Sequence, residues 1–352
     1  MRVWRPAHDN AGGARLRERP GRWASLALVA AGLLCGGCQG MSAEVAPQQR
    51  AQLEQRALGL LLRAAQSGLD AVIEANAIEA LSDVAPDAGL PAFHAALDSS
   101  SPLVRYAGCV ALGKLRHLPA LKNFRRLLDD PDPRVRLAAA FAAYRCGDRG
   151  QARLLVQMMN DHPDEKVRAE AARLIGELGE PKALKRLRLA AMREQSDYVI
   201  VHIESAMAKL KDRDSLDRII QYALKSDAVT ILLSLQTLAE LADPRARRAL
   251  EYRLHNEADY LQMRLLAARA LGRLGVDDGY ELALSALNHK ARDANETMQI
   301  RSNAALALGA IGRADALAAL KHLAETESDA RTQVAACYAI CQIIRAARTS
   351  QP

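Results

Sequence analysis

The sequence predicts an all-α solenoid built from about nine antiparallel helix pairs. Three observations point to it. A short phrase recurs along the chain at intervals of 31 to 37 residues, as in PDPRVRLAAAFAAYRCGD at 131–148 and PDEKVRAEAARLIGELGE from Pro163. Within each copy the apolar residues follow the 3.6-residue period of a helix rather than the alternation of a strand. Half of the 352 residues are apolar but only 4% are aromatic, and alanine and leucine make up most of the rest. Such small side chains let helices pack closely.

The elements follow in chain order, beginning with an address. Residues 1–37 read as a signal segment: Arg-rich residues 1–22 precede the uncharged stretch WASLALVAAGLLCGGCQG from Trp23. A charged segment, a short apolar core and small residues before a cut site suit secretion, and the apolar core from Ala24 to Leu34 is too short to span a bilayer. The stretch LLCGGC, ending at Cys38, resembles the lipobox of bacterial lipoproteins, in which the cysteine is acylated and becomes the new N-terminus. The usual leucine three residues before that cysteine is replaced here by Cys35, with Leu34 one residue further back. The resemblance implies a chain anchored by lipid at Cys38 in the bacterial cell envelope, facing the periplasm. Gln39 after the cysteine favours sorting to the outer membrane. Residues 38–47 form a short linker and 48–350 the repeat array.

Charge narrows the partners. The formal net charge is +7, from 48 basic and 41 acidic residues. Six arginines and two acids fall within residues 1–37, leaving 42 against 39 in the remainder, or +3. The basic excess therefore belongs mostly to the signal, which argues against a nucleic-acid-binding array.

Nine anchor positions define the repeats: Glu74, Arg105, Arg136, Arg168, Ile200, Ile231, Arg264, Arg301 and Gln333. Counting from the anchor, apolar or small residues fall at −1, +3, +4, +7, +8 and +10, one stripe of a helix. The glycines at +8 (Gly113, Gly176, Gly272 and Gly309) cost helix propensity of about 1 kcal/mol each relative to alanine, so a neighbouring helix is expected to cross close there. Steps such as Ser101-Pro102, Asp130-Pro131 and Asp132-Pro133 end one helix and start the next. A second apolar-periodic segment lies between anchors, for example LPALKNFRRLLDD from Leu118. One helix pair is too small to bury its own apolar face, and stacking supplies the core.

This pattern, D-P-x-x-V-R-x-x-A-A-x-x-L-G-x-L-G, is closest at Asp164–Gly179 and Met263–Gly275. It resembles the HEAT-repeat family, in particular the short repeats of phycobilin lyase-like proteins. The resemblance covers about Gln48 to Arg348 and implies a right-handed superhelix whose anchor helices line the concave side. It also implies an inter-repeat ladder of Asp130, Arg105, Arg136, Arg168, Arg264 and Arg301, interrupted where Ile200 and Ile231 replace the arginine.

No catalytic residue, cofactor or metal site is read from the sequence. The seven histidines after the signal show no recurring ligand spacing, and the His-Glu dipeptides of iron-dependent HEAT hydroxylases are missing. Cys109, Cys146, Cys337 and Cys341 all fall in the core stripe and read as buried free thiols. The 37-residue interval before Arg301 implies a polar, exposed insertion at 287–298. At +9, Lys114, Arg145, Glu177, Lys209, Glu240 and Arg273 mix signs, as a solvated face or a protein-binding face does.

A scaffold holding a protein or peptide partner in its concave face is the leading expectation. The alternatives are a phycobilin lyase or isomerase, which would require a cytosolic chain, and a nucleic-acid-binding array. The candidate groove lies at +1 and +5 of repeats two and three: Tyr106, Val110, Leu137 and Phe141, rimmed by Lys114 and Arg145.

Overall fold

A computed structural model describes residues 47–349; the signal segment and Cys38 lie outside them. All nine anchors fall on helices, and these are the even-numbered ones: α2 (Ala71–Val84), α4 (Pro102–Lys114), α6 (Pro133–Arg145), α8 (Glu165–Leu178), α10 (Asp197–Lys209), α12 (Ala228–Leu241), α14 (Leu261–Arg273), α16 (Ala294–Ile311) and α18 (Ala330–Thr349). The intervening segments form α1 (Pro47–Ala64), α3 (Pro86–Ala96), α5 (Leu121–Leu127), α7 (Ala152–Asp161), α9 (Leu184–Arg193), α11 (Arg213–Leu224), α13 (Arg247–His255), α15 (Tyr280–Ala286) and α17 (Leu317–Thr326). Each even helix packs against the even helices before and after it, whereas odd helices pack on the adjacent even helices far more than on one another. The even helices are therefore the inner layer of a curved array and the odd ones the outer layer.

Local chemistry sets the boundaries. The carboxylates of Asp70, Asp132, Asp164, Asp227 and Asp293 accept from backbone N–H groups of the first turn of α2, α6, α8, α12 and α16, satisfying donors that have no partner within the helix. Pro102 and Pro133 occupy the first turn, where a missing N–H costs nothing. At the other end, position +11 is left-handed in repeats two to eight: Arg116, Gly147, Gly179, Lys211, Ala242, Gly275 and Gly312 all have positive φ. Glycine takes this conformation freely; arginine, lysine and alanine do so under strain.

The glycines at +8 are where the inner helices touch. A methyl group added at Gly113 would stand 2.8 Å from Ala142 Cα, at Gly176 2.8 Å from Ala206 Cα, and at Gly309 2.8 Å from Ala339 Cα. In each case the contact is position +6 of the next inner helix. The propensity lost at +8 is therefore exchanged for close backbone approach.

The array closes on itself. Helix α18 packs against both α1 and α2, as each inner helix packs on its successor elsewhere. The Tyr338 hydroxyl donates to Asp83 Oδ2 at 2.5 Å and accepts from Gln342 Nε2 at 2.8 Å. Arg345 donates to the carbonyls of Asp83 and Val84 at the end of α2, and Arg348 pairs with Glu54 of α1 at 2.5 Å. Burial pushes the Tyr338 hydroxyl's pKa far up, with Asp83 adding to it, so the phenol stays a donor. Buried apolar residues run from Ala57 to Ile344, and the ring carries its core around its whole circumference.

The insertion takes a definite shape. Of the expected exposed stretch 287–298, residues 288–296 are mostly exposed but Leu287 and Met298 are buried, and residues 294–298 add a first turn to α16, capped by Asp293. No helix among the described residues is long and apolar enough to cross a membrane.

Candidate functional site

The expected groove is not an open surface. Leu137 and Phe141 are 0% and 1% exposed and pack with Leu155, Met158 and Val167. Tyr106 and Val110 are half-buried, Lys114 is exposed and Arg145 is half-buried. The cause is a polar cluster that spans one helix. Tyr106, on α4, donates to Glu170 and accepts from Arg173, both on α8, and Arg173 Nε bonds Glu170 at 2.9 and 3.0 Å. Helix α6 lies between those two helices, so the cluster roofs its inward face and Leu137 and Phe141 become core. Burial opposes the charge of Arg173, but Glu170 and Tyr106 outweigh it and hold its pKa well above the usual value.

The inner face continues as paired charges. Lys209 bridges Glu177 on α8 and Glu240 on α12, at 2.6 Å to each. Lys209 at +9 thus ties three successive inner helices through the acids at the same position. Between α10 and α12 the packing turns polar, with Ser205 Oγ and Thr237 Oγ1 at 2.9 Å. A cavity of about 40 Å³ opens there, lined by residues that include Arg173, His202, Lys209, Gln236 and Glu240. That volume suits one or two waters, and its charges are already matched.

The arginine ladder is real but differs in membership from the expectation. Arg105 grips Asp130 of the next repeat with two bonds, 2.8 and 2.9 Å, while donating to the carbonyls of Ser99 and Ser100. Arg168 repeats this with Glu194 at 2.8 and 3.0 Å, and Arg301 with Glu327 at 2.5 Å. Arg136 was expected to bridge repeats; instead it donates to the carbonyls of Asp130 and Pro131, the turn before its own helix. Arg264 likewise bonds the carbonyl of Leu254. Arg145 reaches back to the carbonyls of Gly113 and Lys114 at 3.4 and 3.2 Å. It spans repeats where the sequence suggested a free side chain.

Among the described residues, no three His, Cys, Asp or Glu side chains gather as a metal site. Cys146 was expected to be buried but is only half-buried; Cys109, Cys337 and Cys341 are buried free thiols. Burial pushes the pKa of all three up, that of Cys337 to about 12, so they behave as small hydrophobes. One pairing was missed from the sequence: His94 of α3 and His117, in the turn after α4, meet with Nε2 atoms 3.0 Å apart. They are 23 residues apart, the same separation as Arg125 and Asp148, which pair at 3.5 Å in the following repeat. That shared offset was the signal available in the sequence.

Exposed apolar side chains lie elsewhere. Of the seven large ones exposed among the described residues, five sit on repeats five to seven. These are Leu189 and Met192 of α9, Val229 at the start of α12, Tyr252 of α13, and Tyr260 just before α14. Met192 and Tyr260 are 82% and 74% exposed.

Comparison with known proteins agrees with the repeat reading. The family model for HEAT repeats matches residues 58–143, 121–201 and 253–341, well over half of the chain. Among solved structures, human deoxyhypusine hydroxylase in complex with glycerol is similar at 18% identity and a TM-score of 0.36, covering 85% of this chain and 99% of its own. The complex of CpcE and CpcF of phycocyanin lyase from Nostoc sp. PCC7120 is similar at 18% identity and a TM-score of 0.40, covering 76% of this chain and 98% of that one. No match was found among curated proteins.

Proposed function

Since this chain belongs to the HEAT-repeat family, we propose that it is an exported scaffold, anchored by lipid at Cys38, that holds a protein partner in the cell envelope. The anchor rests on the small-residue run that ends at Cys38 and on the basic, then apolar, segment before it. The partner site rests on one observation: five of the seven large exposed apolar side chains among the described residues, Leu189, Met192, Val229, Tyr252 and Tyr260, fall on repeats five to seven. Tyrosine and methionine are enriched at protein interfaces and charge is depleted at their centres. The concave groove is withdrawn from this role, because Leu137 and Phe141 are core.

Labelled palmitate should enter the wild type and not Cys38→Ser, which should stay unprocessed. Equal labelling of both would remove the anchor. A photo-crosslinking residue placed at Met192 or Tyr260 should give a discrete adduct in native envelopes. The same probe at exposed Leu118, on the opposite rim, should give none. Equal adducts at all three positions, or none at any, would remove the partner site.

A further inference from the structure

We propose that His94 and His117 form a chelating site for a divalent first-row transition metal, copper(II) foremost, with water completing the coordination shell. The two rings come from different elements, the outer helix α3 and the turn after α4. Arg116, held left-handed at φ 52, turns the chain immediately before His117. Both imidazoles are half-buried, and their Nε2 atoms are 3.0 Å apart.

The geometry admits a shared ion. With metal–nitrogen bonds of about 2.0–2.1 Å, nitrogens at this separation subtend about 94° at the metal. That is the cis angle of square-planar or octahedral coordination and is well below the tetrahedral angle, which selects copper(II) or nickel(II) over zinc. Two imidazoles on one ion at this angle would place their ring centroids about 4.7 Å apart, whereas a linear N–H···N bond would place them about 5.3 Å apart. The observed value is 4.9 Å, with the planes inclined at 75°, between the two and within reach of either a bent hydrogen bond or a shared ion.

The surrounding chemistry agrees. In the next repeat the equivalent positions hold Arg125 and Asp148, an ion pair. At His94 and His117 two neutral imidazoles share one N–H···N hydrogen bond in one tautomer or, with both protons on Nδ1, turn two Nε2 lone pairs towards a shared ion. Copper(II) stands highest for such nitrogen sites in the Irving–Williams order.

Titrating copper(II) chloride into the purified full chain tests this. One ion should bind per chain, with a two-nitrogen signature in its electron paramagnetic resonance spectrum. His94→Ala and His117→Ala should each weaken binding at least about tenfold, since one of two protein ligands is gone. Nickel(II) should raise the melting temperature of the wild type and leave that of both variants unmoved. A two-nitrogen signal that survives in the double variant would overturn the site. So would a wild type that takes up no copper(II) at about 100 μM metal, a concentration that fills any site with a Kd of about 10 μM or tighter. A readout that needs no variant comes from trace copper(II) in the wild type: it should broaden the imidazole resonances of two histidines only, and broadening of a different set would equally overturn the site.

Discussion

Removing the Arg105 side chain should destabilise the ring more than removing either of the arginines at its neighbouring joints. Asp130 is the reason. Its carboxylate is 4% exposed and takes two bonds from Arg105, with one further bond from the N–H of Asp132 at 3.0 Å. Arg105→Met keeps most of the apolar stem but leaves that carboxylate buried beside a thioether. Breaking a buried pair from one side costs about 3–5 kcal/mol, because the remaining charge has lost its compensation. Arg136→Met loses bonds to two carbonyls that water can reach, worth about 1–2 kcal/mol. Arg145→Met loses two long bonds and should cost under about 0.5 kcal/mol. Urea midpoints for the three variants should fall in that order. In a double-mutant cycle, Asp130→Asn should recover much of the Arg105→Met loss, a coupling that only a direct contact gives. A cost for Arg136→Met equal to or above that for Arg105→Met would refute the assignment of the inter-repeat tie to Arg105 and Asp130.

Two further outcomes follow from the same geometry. Ala242→Gly should stabilise the chain by about 0.5–1 kcal/mol in thermal melts, since φ 47 strains alanine by about 1–2 kcal/mol and glycine returns part of that as entropy; a lower melting temperature would mean that the strain is not stored there. Arg168 holds the Glu194 carboxyl below its usual pKa against the opposing effect of burial, so the folded form has the lower pKa. The stability this supplies is present above the unfolded value of about 4.3 and is lost as pH falls through the folded one. The gap in urea midpoint between wild type and Arg168→Met should therefore be full at pH 7 and shrink below about pH 4; an unchanged gap at about pH 3 would contradict the pairing.

Much of the fold was legible because each repeat states its own helix boundaries. The Asp and Pro steps, the apolar stripe and the +8 glycines are local signals, and local chemistry obeys them. The +8 contacts could be foreseen because a glycine inside a helix is unfavourable unless something approaches it. The groove could not be read in the same way. Whether Leu137 and Phe141 face solvent depends on Tyr106 reaching across α6 to Glu170 and Arg173, a contact some 64 residues away in sequence. Arg136 was misassigned because the arginine at the anchor is only half of the tie. The carboxylate some 25 residues later decides whether the tie spans repeats, and Arg136 has a histidine, His162, 26 positions on where Arg168 has Glu194.

Closure depends on none of these local signals. It follows from the small rotation between successive helix pairs summed over nine of them. Open repeat arrays expose the apolar faces of their end repeats, which is why they need polar terminal caps. Here the first and last repeats shield each other: α18 covers α1 and α2, and Arg348 and Glu54 stand in contact. Every helix pair has a neighbour on both sides, so no repeat can peel away by breaking a single joint. Arg348, near one end of the described chain, reaches Glu54 in the first helix at the other end. A permuted chain opened instead between α15 and α16, within the exposed residues 288–293, would keep the same ring with a different beginning.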